Sequence, residues 1–273
     1  MNQVKATQPS RLVPEKHSWV YWLVSDALVM IRRSVGHVLK NRGVLIGGLL
    51  QSMVFMIIFR YVFGGAIETG GPTYINFLVA GILVQTAAFG AFTTASGVAV
   101  DMQRGIMNRL KSLPMNSSAM LTGHVTASLF RNTLFIIVMT DVAYVVGFNP
   151  SASPLEWFAA FGLLLLFTFS LSWLSAILGL VAKGPEAVQA FTFMVISPLT
   201  FASSAYVPTS SMPTALRIFA ENQPITHVIE TIRALLVGTP IGNHGWWALG
   251  WCIGIMAIAI PITAVLFRRY TPH

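Results

Sequence analysis

Apolar residues along this chain gather into long runs separated by short polar or basic connections. About 20 consecutive apolar residues suffice for a helix to cross a bilayer's hydrocarbon core. Six segments meet that length: Val44–Phe63, Tyr74–Val98, Leu129–Phe148, Trp157–Ala182, Ala187–Val207 and Trp246–Phe267. The third is the weakest, because Arg131 and Asp141 interrupt its ends. Only Lys183–Glu186 separates the fourth from the fifth, so a tight hairpin is expected there, with Gly184-Pro185 stopping the helix. The predicted fold class is all-α and integral to the membrane.

Two further stretches are amphipathic but do not span. Between Val20 and Lys40, Val20, Val24, Ala27, Ile31, Val35 and Val38 share one helical face, opposite Asp26, Arg33, His37 and Lys40. Trp19, Tyr21 and Trp22 open it with rings suited to the headgroup region. Residues 19–42 therefore read as an interfacial helix, preceded by a mobile cytoplasmic tail over 1–18. The connection before the last span, about 208–240, carries Pro208, Pro213, Pro224 and Pro240 around two short amphipathic pieces. Too short to cross, they are expected to re-enter the outer leaflet. The six-span unit as a whole covers 43–270.

Composition agrees with the pattern. Of 273 residues, 55% are hydrophobic and 10% charged, against about 25% charged in soluble domains. The net charge of +8 does not indicate nucleic acid, because the basic residues flank the apolar runs and do not form one face. With alternate connections assigned to opposite sides, 14 of the 17 Lys and Arg fall on the side of the termini, and Arg60, Arg217 and Arg233 on the other. By the positive-inside rule both termini are cytoplasmic. No signal peptide is evident. One cysteine, Cys252, excludes a disulfide framework. The six histidines form no H-x-x-x-H pair, so no metal site is expected. Asp141 is the sole acid well inside a span; it either carries protons or a cation, for which no further ionisable groups stand in line, or pairs with Arg60 or sits at the outer edge.

The segment "DMQRGIMNRLKSLPM", Asp101–Met115, stands out as basic chain between apolar spans. Met102–Leu113 can form a short helix ended by Pro114. Its Gly105, Arg109, Leu110, Lys111, Ser112, Leu113, Pro114 and Met115 fit a G-x-x-x-R-[LF]-[KR]-S-L-P-M pattern. That pattern resembles the block after the second span in type-2 ABC exporter permeases, particularly the daunorubicin-resistance type. "NQPITHVIETIRALLVG" resembles their second block, with Asn222, Pro224, Thr226, Arg233 and Gly238 in place. Many relatives carry an E-R-E-x-G start where this chain has Asp101, Gln103 and Arg104, which weakens the acidic contribution. The resemblance covers roughly residues 20–270.

It implies a permease subunit of an ATP-driven exporter in a bacterial plasma membrane, moving an amphipathic drug or lipid-like substrate. It also implies an ATP-binding-cassette partner and a second permease copy, the same chain or a paralogue. The chain has no G-x-x-x-x-G-K-[ST] loop, so it is expected to bind no cofactor, with ATP and Mg on the partner. On this reading Asp101, Arg104, Gly105, Arg109, Leu110, Lys111 and Pro114 form a coupling helix, about 101–114, that meets the ATPase. The plainer reading of the same charges is a topology-fixing loop.

In this family the first, second and fifth spans line the dimer's path. Weakly polar residues among phenylalanines there, Gln51, Gln85, Phe89, Thr93, Thr200 and Ser203, are the expected substrate contacts. Membrane Ser and Thr serve interhelical packing just as readily. Two other transport classes compete: an exporter of lipid-linked glycans, and a secondary multidrug transporter. The second would want more buried ionisable groups and inverted repeats. A membrane enzyme would want clustered carboxylates, and the nine acids here are scattered.

Overall fold

A computed structural model describes residues 36, 42–67, 73–105 and 118–269. Within them lie eight α-helices: α1 (Arg42–Ile57), α2 (Tyr74–Gln103), α3 (Ser118–Val145), α4 (Pro154–Val181), α5 (Pro185–Phe201), α6 (Thr214–Asn222), α7 (Pro224–Val237) and α8 (His244–Arg269). α1 continues as a π-helical turn over Ile58–Phe63. The predicted tail, the interfacial helix apart from Gly36 and Arg42, and residues 106–117 lie outside the described residues.

α2 is the centre of the bundle. α1, α3, α4, α5 and α7 all pack on it, and α8 packs on α4 and α7. Its apolar window is 89% buried, against 6% for α1 and 17% for α8. So α2 meets protein on nearly every side, whereas α1 leaves its apolar surface to lipid or another chain. At 1.5 Å per residue, thirty residues make α2 about 45 Å long, longer than the ~30 Å hydrocarbon core. One end therefore projects past the membrane core.

Local chemistry sets the helix ends. Ser153 and Glu156 form a capping box at the start of α4: the Ser153 amide donates to Glu156 Oε2 at 2.6 Å, and Ser153 Oγ accepts from the Glu156 amide at 3.4 Å. Pro154, Pro185 and Pro224 open α4, α5 and α7, where a missing N–H costs nothing. Gly238, at φ +76°, closes α7 in the left-handed region that favours glycine.

Among the described residues five helices are long and apolar enough to cross a membrane: Leu45–Phe63, Tyr74–Gln103, Met120–Val145, Pro154–Val181 and His244–Phe267. Two expected boundaries shift. The third span begins near Met120 instead of Leu129, because Arg131 lies buried within the helix and does not mark its end. The fifth stops at Phe201 instead of Val207. Pro198 lacks the N–H that would bond the Met194 carbonyl, which weakens the last turn. At 17 residues α5 is about 25 Å long, and the chain then continues through a buried irregular stretch, Ser203 to Tyr206.

Irregular backbone inside a membrane protein survives only where its polar groups find protein partners. Here side chains from elsewhere supply them. Gln223 Nε2 donates to the Leu199 carbonyl at 2.9 Å and also to the Ala202 carbonyl. Arg233 Nη2 donates to the Ser204 carbonyl at 2.5 Å, and Tyr74 Oη to the Tyr206 carbonyl at 3.1 Å. The Tyr206 ring stacks on Phe59 of the π turn, centroids 4.1 Å apart. The expected amphipathic pieces between the fifth and sixth spans exist as α6 and α7. α7 is buried along most of its length, against α2, α4 and α8.

Candidate transport cavity

α1, α2, α3 and α5 enclose a cavity of about 580 Å³. Gln51, Ser52 and Phe55 of α1 face Gln85, Phe89 and Thr93 of α2 across it. Arg131 and Phe135 contribute from α3, and Glu186, Gln189 and Phe193 from α5. Phe55, Phe89, Phe92, Phe135 and Phe193 give its wall aromatic surface, interleaved with polar side chains from all four helices. Thr86 Oγ1 donates to the Ile82 carbonyl at 2.7 Å and lies 2.9 Å from Ser52 Oγ.

Four of the expected contact residues, Gln51, Gln85, Phe89 and Thr93, thus come together at one cavity. Thr200 and Ser203 do not join them. Thr200 Oγ1 bonds back to the Ile196 carbonyl at 2.8 Å, and Ser203 Oγ donates to the Thr200 carbonyl at 2.5 Å. Both are buried where α5 unwinds. Their hydroxyls serve backbone groups at the chain reversal, and neither residue lines the cavity.

The residue that sequence reasoning placed elsewhere is Arg131. Counted there as a boundary charge, it stands midway along α3 and is 7% exposed. Its Nη2 donates to the Gly90 carbonyl at 2.9 Å and lies 3.4 Å from Ser128 Oγ. Both partners are neutral. Nε has no partner among the described residues. Gly90 packs directly against α3: a Cβ built on it would lie 1.8 Å from Asn132 Oδ1. Ser172 Oγ, from α4, meets Ser128 Oγ at 3.1 Å, and Ser175 Oγ reaches the Ala91 carbonyl at 3.0 Å. Small and polar residues of this kind are how membrane helices approach closely.

The expected coupling residues divide. Asp101 belongs to the last turn of α2, not to a separate helix, and its carboxylate meets His124 Nε2 at 2.9 Å. Arg104 and Gly105 form the turn that follows. Gln103 Nε2 donates to the Lys183 carbonyl at 3.0 Å, which ties the end of α2 to the α4–α5 hairpin. Arg109, Leu110, Lys111 and Pro114 lie outside the described residues.

At the opposite end the second block is structural. Asn222 Nδ2 donates to the Ile218 carbonyl at 2.8 Å, Pro224 opens α7, and Thr226 is buried. Arg233 sits 3.6 Å above the Phe77 ring centroid, donates from Nε to the Phe77 carbonyl at 3.1 Å, and pairs with Glu230 at 2.5 Å. Burial pulls its pKa below the ordinary value, against the opposing charge of Glu230. Gly238 lies beside Ser151, whose Oγ donates to the Val237 carbonyl at 2.6 Å. His227 Nδ1 lies 3.1 Å from His244 Nδ1. Burial first, then the neighbouring His244, depress the His227 pKa. Asp141 is exposed and unpaired with Arg60, which lies over the Tyr61 ring. Among the described residues no three His, Cys, Asp or Glu gather into a metal-binding group.

Comparison with known proteins places this architecture. Residues 26–237 match the family described as ABC-2 type transporter. The chain is 29% identical over 233 residues to a daunorubicin resistance ABC transporter permease protein, DrrB1, of Streptomyces coeruleorubidus, covering 84% of this chain and 81% of that protein. It is 25% identical over 278 residues to a probable doxorubicin resistance ABC transporter permease protein, DrrC, of Mycobacterium tuberculosis, covering 97% and 96%. A putative transport permease, ycf38, of Cyanophora paradoxa is 29% identical over 255 residues, covering 90% and 84%. With its all-helical, multi-pass membrane architecture, the chain belongs to the ABC-2 type transporter family and is a transporter permease.

Proposed function

We propose that this permease is the membrane half of an exporter that moves an amphipathic drug or lipid-like molecule out of the cytoplasm or its inner leaflet. The cavity carries the reading: Gln51 of α1 and Gln85, Phe89 and Thr93 of α2 face one another across a space lined by aromatic and polar side chains. A partner ATP-binding-cassette subunit holds and hydrolyses ATP with Mg. A second permease copy covers α1 and the exposed Phe191, Phe193 and Met194 of α5. The protein sits in a bacterial plasma membrane with both termini and the Gln103 end of α2 in the cytoplasm. Without Arg131, which is buried in the bundle, thirteen Lys and Arg on that side still oppose three.

Met102–Pro114 meets the ATPase, and the bond from Gln103 to Lys183 passes its movement to α4 and α5. The test is export by the chain co-expressed with its cassette partner. A Thr93→Trp change, which fills the cavity from α2, should abolish export at matched expression. Unchanged export by that variant overturns the cavity as the path.

A further inference from the structure

Arg131 is a guanidinium at the middle of a membrane helix, bonded only to neutral acceptors and lining the cavity. A charge at that depth is costly unless it is compensated. Among the described residues it has no carboxylate partner. Glu186 also lines the cavity, but it is exposed in the first turn of α5 and does not pair with Arg131. The hydrogen bond to Gly90 helps fasten α2 to α3, yet a neutral amide would do that at lower desolvation cost. A guanidinium adds a fixed positive charge and a planar fork of donors that fits carboxylates and phosphates.

Around it Phe55, Phe89, Phe135 and Phe193 offer apolar surface. We propose that Arg131 is the specificity-determining residue of the cavity: it selects amphiphiles whose head is anionic and rich in acceptors, a phosphate or a carboxylate, and disfavours cationic heads. The apolar tail lies among the phenylalanines, and the head takes the donors that the neutral partners leave free. This rests on the cavity being the transport path proposed above.

The test uses the full chain in lipid nanodiscs and three photoreactive amphiphiles that share one diazirine-bearing tail. Their heads are a phosphate monoester, a carboxylate and a trimethylammonium. Labelled peptides are mapped by mass spectrometry. The expected result is labelling of α1, α2, α3 and α5 cavity peptides by both anionic probes about tenfold above the trimethylammonium probe. Arg131→Gln should erase the preference and Arg131→Lys should keep most of it. Equal labelling by all three heads in the wild type overturns the selection while leaving the path intact. So does an anionic preference that survives Arg131→Gln. Absence of cavity labelling by any probe overturns the path and the selection together.

If Arg131→Gln does not fold, the wild-type comparison of heads still decides. Inorganic phosphate as competitor identifies the source. Displacement of the phosphate probe supports recognition of the free anion, and persistence of labelling supports recognition of the head on its tail.

Discussion

Arg233 holds the Ser204 carbonyl at 2.5 Å from a helix that follows it by about thirty residues in the chain. The contact joins α7 to the stretch where α5 unwinds, and the same guanidinium lies flat on Phe77 of α2. Arg233→Ala would take the side-chain donor from the Ser204 carbonyl, and a second donor from the Phe77 carbonyl, which keeps its bond within α2. A loss of about 2–5 kcal/mol is expected, read as a lowered Tm in detergent or nanodiscs. Arg233→Lys should recover only part, because an ammonium lacks the fork that serves both carbonyls.

Gly90 of α2 packs directly against Asn132 of α3, with no room for a side chain between them. Gly90→Ala drives a methyl into the Asn132 amide and should cost about 1–3 kcal/mol. Adding Asn132→Ala should restore most of the loss. A double-mutant cycle of melting temperatures measures it, and additive effects would contradict the contact.

His227 predicts a pH dependence. Its folded pKa lies below the ordinary histidine value, through burial and then His244. Between that depressed value and about 6.5 the unfolded chain binds the proton and the folded chain does not, so stability rises with pH in the window. The protein should therefore melt at lower temperature as pH falls below about 6.5. His227→Gln should flatten the slope over that range in a melting series.

Gln103 predicts a defect without unfolding. Its amide is exposed and holds the Lys183 carbonyl at 3.0 Å. Gln103→Ala should change Tm little, within about 0.5 kcal/mol as for most exposed positions. Under the proposed coupling it should lower export several-fold while ATP binding by the partner stays unchanged. Full export would remove the hairpin from the coupling route.

Apolar run length located most of the helices, because a bilayer demands about 20 such residues whatever packs around them. It misplaced the start of α3 because Arg131 looks like an end in one dimension. In three dimensions Arg131 and Asn132 face α2 at Gly90, and His124 meets Asp101. It overran α5 because Ala202 to Val207 is apolar enough to pass as helix. Only the donors Gln223, Arg233 and Tyr74, distant in sequence, make its unwinding tolerable. For the cavity, the family resemblance named the spans and polar type picked Gln51, Gln85 and Thr93 on them, but type alone cannot tell a residue that lines the cavity from one packed away from it. Thr200 is the second kind.

The polar seam of α3 also bears on how the chain enters the bilayer. α3 is the least apolar of the five candidate spans, and Arg131 and Ser128 find partners on α2 and α4, with Asn132 packed against Gly90. Alone in lipid this segment would carry a bare guanidinium and an amide. Synthesis order offers relief, since α2 emerges from the ribosome first and presents the Gly90 carbonyl as α3 arrives. Biogenesis of this protein should therefore proceed by insertion of α2 and α3 as a pair, with α4 sealing the serine contacts behind them.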